Sequence, residues 1–161
     1  MNRQALSRLA RAGLLTAIVD GLFSSLLAAF FYGSSVTALF QYVASTLLGP
    51  AAFDGGVTTA AIGVLMHVGI AFGWSAVFLI LFTRSARIRR AAAGPVGIVK
   101  VAAVYGPVVW LVMSLAVIPL LVQRPPAINF RWWIQLAGHV PFVGVPIVAA
   151  IARGGRRTPG P

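Results

Sequence analysis

Four long apolar runs dominate this chain, at about residues 12–32, 57–83, 96–122 and 133–152. Each is long enough to cross a hydrocarbon layer of roughly 30 Å at about 1.5 Å per helical residue. Three of them carry a titratable side chain where lipid-facing structure should have none: Asp20 in the first, His67 in the second and His139 in the fourth. The chain has only two acids and two histidines, so most of its acid–base chemistry lies inside these runs. An ionisable group at bilayer depth costs roughly 2.5–3.5 kcal/mol on insertion scales and therefore needs a partner or a purpose.

Composition leaves little alternative to a bilayer. Of 161 residues, 59% are hydrophobic and 9% charged, too little polar surface to keep a folded domain dissolved. The expectation is an all-α integral membrane protein, a single domain over residues 1–161. Cysteine is absent, which excludes disulfides and thiolate metal sites.

The net charge of +11 is placed rather than spread. Arg3, Arg8 and Arg11 precede the first run; Arg84, Arg87, Arg89 and Arg90 follow the second, with Lys100 just beyond, at the start of the third. Arg153, Arg156 and Arg157 close the chain, and only Arg124 and Arg131 lie in the remaining connections. Eleven against two is the positive-inside pattern, predicting a multi-pass protein with both termini, including a tail 153–161, in the cytoplasm. The partners implied are the bilayer and its anionic headgroups. Nucleic acid is not implied, since the basic residues have no polar, aromatic scaffold around them. A homo-oligomer or a membrane protein partner stays open. No small-x-small site followed by polar sequence ends the first run, so it reads as a retained span.

Between the first two runs, residues 35–48 form a segment too apolar for a loop and too short for a span. Ser34 or Ser35 can cap it, and Gly49-Pro50 stops it. An extra interfacial or re-entrant helix on the outer side of a four-helix bundle is expected there. Gly69 and Gly73 form a GxxxG pair predicting a close contact with another helix of the bundle. Pro107, Pro119, Pro141 and Pro146 predict bends in the last two spans.

Counting along the helices places Asp20 ~18 Å, His67 ~15 Å and His139 ~9 Å from the outer ends of their spans. Asp20 and His67 thus fall at similar depth on consecutive antiparallel helices. Thr16, Asp20 and Ser24 make an i, i+4 stripe; Gly63 and His67 share a face; Gln135 and His139 are four apart. These stripes predict a cluster of Asp20, His67, His139, Ser24 and Gln135 facing the protein interior.

Three chemistries suit that cluster. It can hold helices together by hydrogen bonds, or it can bind a proton or a small polar ligand, with Asp20 fixing the tautomer of His67. Alternatively, His67 and His139 can ligate a metal or a haem b, as imidazoles on two spans do in membrane cytochromes. No HExxH, GxSxG, phosphate loop or dinucleotide fingerprint occurs, so no catalytic machinery is expected.

Phe40-Gln41-Tyr42-Val43-Ala44-Ser45-Thr46-Leu47-Leu48-Gly49, Ala52-Phe53-Asp54-Gly55-Gly56, His67 with Ile70-Ala71, Tyr105-Gly106-Pro107 with Met113, Val117-Ile118-Pro119-Leu120, Gly138-His139 and Val143-Gly144-Val145-Pro146-Ile147 together carry a likeness. As a set they resemble a family of small uncharacterised bacterial four-span membrane proteins, over about residues 40–153. The resemblance implies an inner-membrane location and marks His67 and His139 as a pair; it implies no reaction. The chain departs from that pattern at Thr46, where glycine is expected, and at Ser114, where asparagine is expected.

Overall fold

A computed structural model describes residues 2–154, and among them all regular secondary structure is helical. Residues 155–161, with Arg156 and Arg157 and most of the expected tail, lie outside the described residues. Helix α1 spans Arg3–Phe31, α3 Gly56–Arg84, α5 Gly94–Val122 and α6 Phe130–Arg153. Between the first two lies α2, Val36–Leu48, which continues as a 3-10 turn over Gly49–Phe53. A short α4, Ala86–Ala91, joins α3 to α5.

Five helical segments, not four, are long and apolar enough to cross a membrane by length and composition. The additional one is Val36–Phe53, and it reaches 18 residues only by counting the 3-10 turn. Gly49 and Pro50 end the α-helix as the sequence predicts but do not end the helical path. Gly49 takes φ 65°, ψ −160°, a conformation closed to other residues, and so turns the chain.

Polar residues start the helices where the backbone needs donors satisfied. Asn2, Ser35, Ser85 and Asn129 each accept a hydrogen bond from the backbone N–H three residues on. At the other end of α3, Arg89 Nη1 donates to the carbonyls of Phe82 and Thr83 at 3.1 and 2.8 Å. This satisfies carbonyls that a helix C-terminus leaves bare.

Neighbouring long helices run antiparallel. In α1 and α3, Gly13 faces the Phe72 ring and Ala17 faces His67, so the numbering rises on one as it falls on the other. For α1 and α6, Phe23 stacks on Phe142 with ring centroids 4.2 Å apart, and Gln4 Nε2 donates to Gly154 O at 3.2 Å. Helices α5 and α6 follow the same rule, with Ala102 beside Gly144 and Ser114 beside Trp132. The antiparallel pairing of α1 with α3 brings the end of one beside the start of the other. Helix α2 therefore belongs to a segment, residues 32–55, that leaves and returns at the same end of the molecule. It packs on α3, tied by Gln41 Nε2 to Phe53 O and Gly56 O at 3.2 and 3.1 Å.

The main apolar core lies toward the end where Arg3, Arg84 and Arg153 gather. Phe78, Ile147, Val148 and Ile151 are fully buried there, with Ala12, Ala102 and Tyr105 around them. Tyr105 donates its hydroxyl to Trp74 O at 2.6 Å, joining α5 to α3.

Close approach between helices does not use the GxxxG pair. Gly69 and Gly73 face open space, which corrects the expected contact. The crossings instead use Gly63 against the Phe40 carbonyl, Gly106 against the His139 carbonyl and Gly144 against the Ala102 carbonyl. At each, a Cβ would overlap a neighbouring backbone oxygen. The physical reason is rotational: α3 turns its Gly63 face to α2 and leaves the next pair of glycines outward.

The broken runs of α5 and α6 are bridged by π turns at Met113–Val117 and Val140–Gly144, and α1 ends in a third at Leu27–Phe31. The wider turns sit beside Pro119 and around Pro141, where a missing N–H shifts the hydrogen-bond ladder.

Overpacking of a tight crossing costs about 1–3 kcal/mol. Gly144→Val and Gly106→Val are therefore expected to lower the thermal unfolding midpoint in detergent clearly, whereas Gly69→Val and Gly73→Val leave it within error. Circular dichroism melts of the four variants check this.

Candidate functional site

Asp20 lies on the face of α1 that turns toward α3. Its Oδ2 stands 4.0 Å from Nδ1 of His67, and both side chains are less than a fifth exposed. The second ring nitrogen of His67 meets the backbone carbonyl of Ala17, with Nε2 to O at 3.0 Å. The imidazole reaches that carbonyl because residue 21 is glycine: a Cβ there would stand 3.3 Å from Nε2. Phe40 of α2 closes the other side, its ring edge-on to the imidazole at 6.0 Å between centroids.

The Ala17 contact fixes the chemistry of the pair. A carbonyl oxygen only accepts, so His67 Nε2 carries a hydrogen and donates it. Nδ1 is then the nitrogen that points at the carboxylate. If the ring is neutral and Asp20 is ionised, a lone pair faces a negative oxygen. One further proton, on Nδ1 or on Oδ2, converts that repulsion into attraction.

His139 sits on α6, buried at the crossing with α5. Its Nδ1 meets the carbonyl of Gln135 at 2.7 Å, which makes Nδ1 the hydrogen-bearing nitrogen and Nε2 the one with the lone pair. Trp110 packs against the ring at 4.9 Å between centroids and touches Trp132 in turn at 6.1 Å. Trp132 Nε1 donates to Ser114 Oγ at 3.1 Å, so the residue expected as asparagine holds an aromatic wall in place.

The five candidate residues are thus treated unequally by the fold. Asp20 and His67 face one another at 4.0 Å. His139 approaches from α6 without a hydrogen bond to either among the described residues. Gln135 contributes its backbone carbonyl, while its side-chain Oε1 is buried and without a partner among the described residues. Ser24 is half-buried, one turn beyond Asp20. Asp20 Oδ1 and the hydroxyl of Thr16 are also buried without partners among the described residues.

Among the described residues no three His, Asp, Glu or Cys side chains come together with metal-holding geometry. His139 has the posture of a haem ligand, its Nδ1 oriented by a carbonyl. His67 is held differently: its Nε2 meets Ala17 O, and ligation through that nitrogen requires it to release the carbonyl.

Gly21 and the Ala17 carbonyl escaped the sequence reading. A small residue one position past Asp20 was the available signal. No family model matches this chain, and no curated protein or solved structure is similar to it.

The tautomers are directly observable. In ¹⁵N NMR spectra of the histidines, His67 is expected to show a protonated Nε2 and His139 a protonated Nδ1 when neutral. Gly21→Val should abolish the His67 pattern while leaving that of His139 in place.

Proposed function

We propose that this chain is a four-span membrane protein whose Asp20–His67 pair, with His139 nearby, forms a proton-responsive centre inside the bilayer. The observation that carries the reading is the double engagement of His67. Ala17 locks one nitrogen as a donor, so the other faces the Asp20 carboxylate across 4.0 Å, where one added proton on either group turns repulsion into attraction. A pair built only for cohesion has no need of a titratable ring at that position. The unpartnered oxygens of Thr16, Asp20 and Gln135 support the same view, since each accepts a hydrogen bond when one is offered.

In this reading α1, α3, α5 and α6 are the spans of a four-helix bundle. Helix α2 is the extra interfacial or re-entrant element, because the segment that holds it returns to the end it left. The crowding of basic residues at one end supports a cytoplasmic placement of both termini, and the bacterial inner membrane is the location that the resemblance implies. Membership of the small four-span family that the sequence resembles belongs to the same proposal. The chain acts without catalytic machinery of its own.

The topology is testable because the sequence has no cysteine of its own. With Ser34→Cys, Asp54→Cys and Arg87→Cys introduced singly, a membrane-impermeant maleimide added to intact cells is expected to label residues 34 and 54 and to spare 87. Labelling of 34 and 54 from opposite sides would show that α2 spans.

The proton reading is tested by infrared titration of the protein in nanodiscs. A carboxylic C=O band that changes with pH is expected, and Asp20→Asn should remove it. His67→Gln keeps an N–H for Ala17 but cannot hold the proton; it should preserve the melting temperature and move the band's midpoint by about one pH unit or more. If no band titrates in the native protein, or if His67→Gln leaves the midpoint in place, the pair is only a helix fastening.

A further inference from the structure

A second feature lies on the outer flank of the α1–α6 contact, at the basic end of the molecule. Here the two helices part enough to leave an open groove of about 390 Å³. Leu15 and Val19 of α1 form one wall, Val145 and Ala149 of α6 the other, and Arg11 and Arg153 stand at its mouth. Because α1 and α6 are antiparallel, both arginines fall at the same level although they come from opposite ends of the chain. From that level to Val19 the groove runs eight residues, ~12 Å of apolar wall.

The charges at the mouth have no counter-ion in the chain's own side chains. Its only side-chain carboxylates are Asp20 and Asp54; the first faces His67, and the second lies at the opposite end in the turn before α3. Arg8 reaches the same region, its side chain against Gly154, with Nε buried and unpartnered among the described residues. An apolar trough opening onto paired guanidinium groups matches one kind of molecule: a negative head on an acyl chain. Guanidinium forks bind phosphate oxygens in pairs.

We propose that this groove seats one anionic phospholipid, its phosphate between Arg11 and Arg153 and an acyl chain along Leu15, Val19, Val145 and Ala149. The site rests on the membrane reading above and is independent of the Asp20–His67 centre. It goes further than general attraction of basic residues to a charged surface, because it fixes a stoichiometry and a place. Small side chains make the floor: Ala149 leaves the width that a leucine would fill.

The test is native mass spectrometry of the full-length protein released from vesicles holding equal amounts of phosphatidylglycerol and phosphatidylcholine. One phosphatidylglycerol is expected to be retained in preference. Arg11→Gln or Arg153→Gln should each reduce that preference about fivefold, and the double variant about thirtyfold, the factors that about 1 kcal/mol per arginine gives. Ala149→Leu should reduce retention with both arginines in place. Millimolar inorganic phosphate should fail to displace the lipid; displacement would mean an anion site without an acyl seat and overturn the proposal. Equal retention of both lipids by the native protein, or retention unchanged in Ala149→Leu or in the double variant, overturns it as well. Flotation with the same vesicles separates these outcomes from failure of the membrane reading, since a protein that does not float was never in the bilayer.

Discussion

Apolar side chains gain little by leaving lipid for one another, so helices in a bilayer associate through close backbone approach and buried polar contacts. Everything in this structure depends on a few points where one helix puts a glycine against the carbonyl of the next. Gly63 lets α2 settle on α3, Gly106 and Gly144 let α5 close on α6, and Gly21 opens the space through which His67 reaches α1. Between these points the packing is ordinary apolar contact around Phe78, Ile147 and Val148. The polar centre is thus a by-product of proximity: the imidazole meets Ala17 and faces Asp20 because the helix axes are already close.

The two histidines resolve into different roles through the same device. Each presents one nitrogen to a main-chain carbonyl, but through opposite ends of the ring. His67 spends Nε2 on a neighbouring helix and turns Nδ1 to a carboxylate. His139 spends Nδ1 within its own helix, one turn back at Gln135. The first arrangement ties two helices together and turns a ring nitrogen toward a carboxylate. The second leaves His139 as a lone-pair nitrogen in an aromatic pocket formed with Trp110 and Trp132.

Much of this was legible in the residues. Hydrophobic run lengths, the placement of arginines and the proline positions gave helices and their order. The near-equal depths of Asp20 and His67 followed from counting, because helical rise is constant. What was not legible depended on rotation and on the backbone. Gly69 and Gly73 carry the stronger motif, yet α3 is rolled so that Gly63 does the work, and a single sequence does not encode that roll. The Ala17 carbonyl belongs to every residue type and leaves no mark in the alphabet. The 3-10 turn after Gly49 extended a helix that the Gly-Pro pair was expected to end.

The return of the α2 segment to its starting end has a consequence for how the molecule tolerates change. The relative register of α1 and α3 is set by their own contacts, Gly13 with Phe72 and Ala17 with His67, and not by the connection between them. A segment that leaves and comes back contributes no net displacement along the helix axes. Its length and hydrophobicity can therefore drift without inverting α3, α5 or α6. The excursion is a place where the chain can diversify that end of the molecule while everything downstream keeps its orientation.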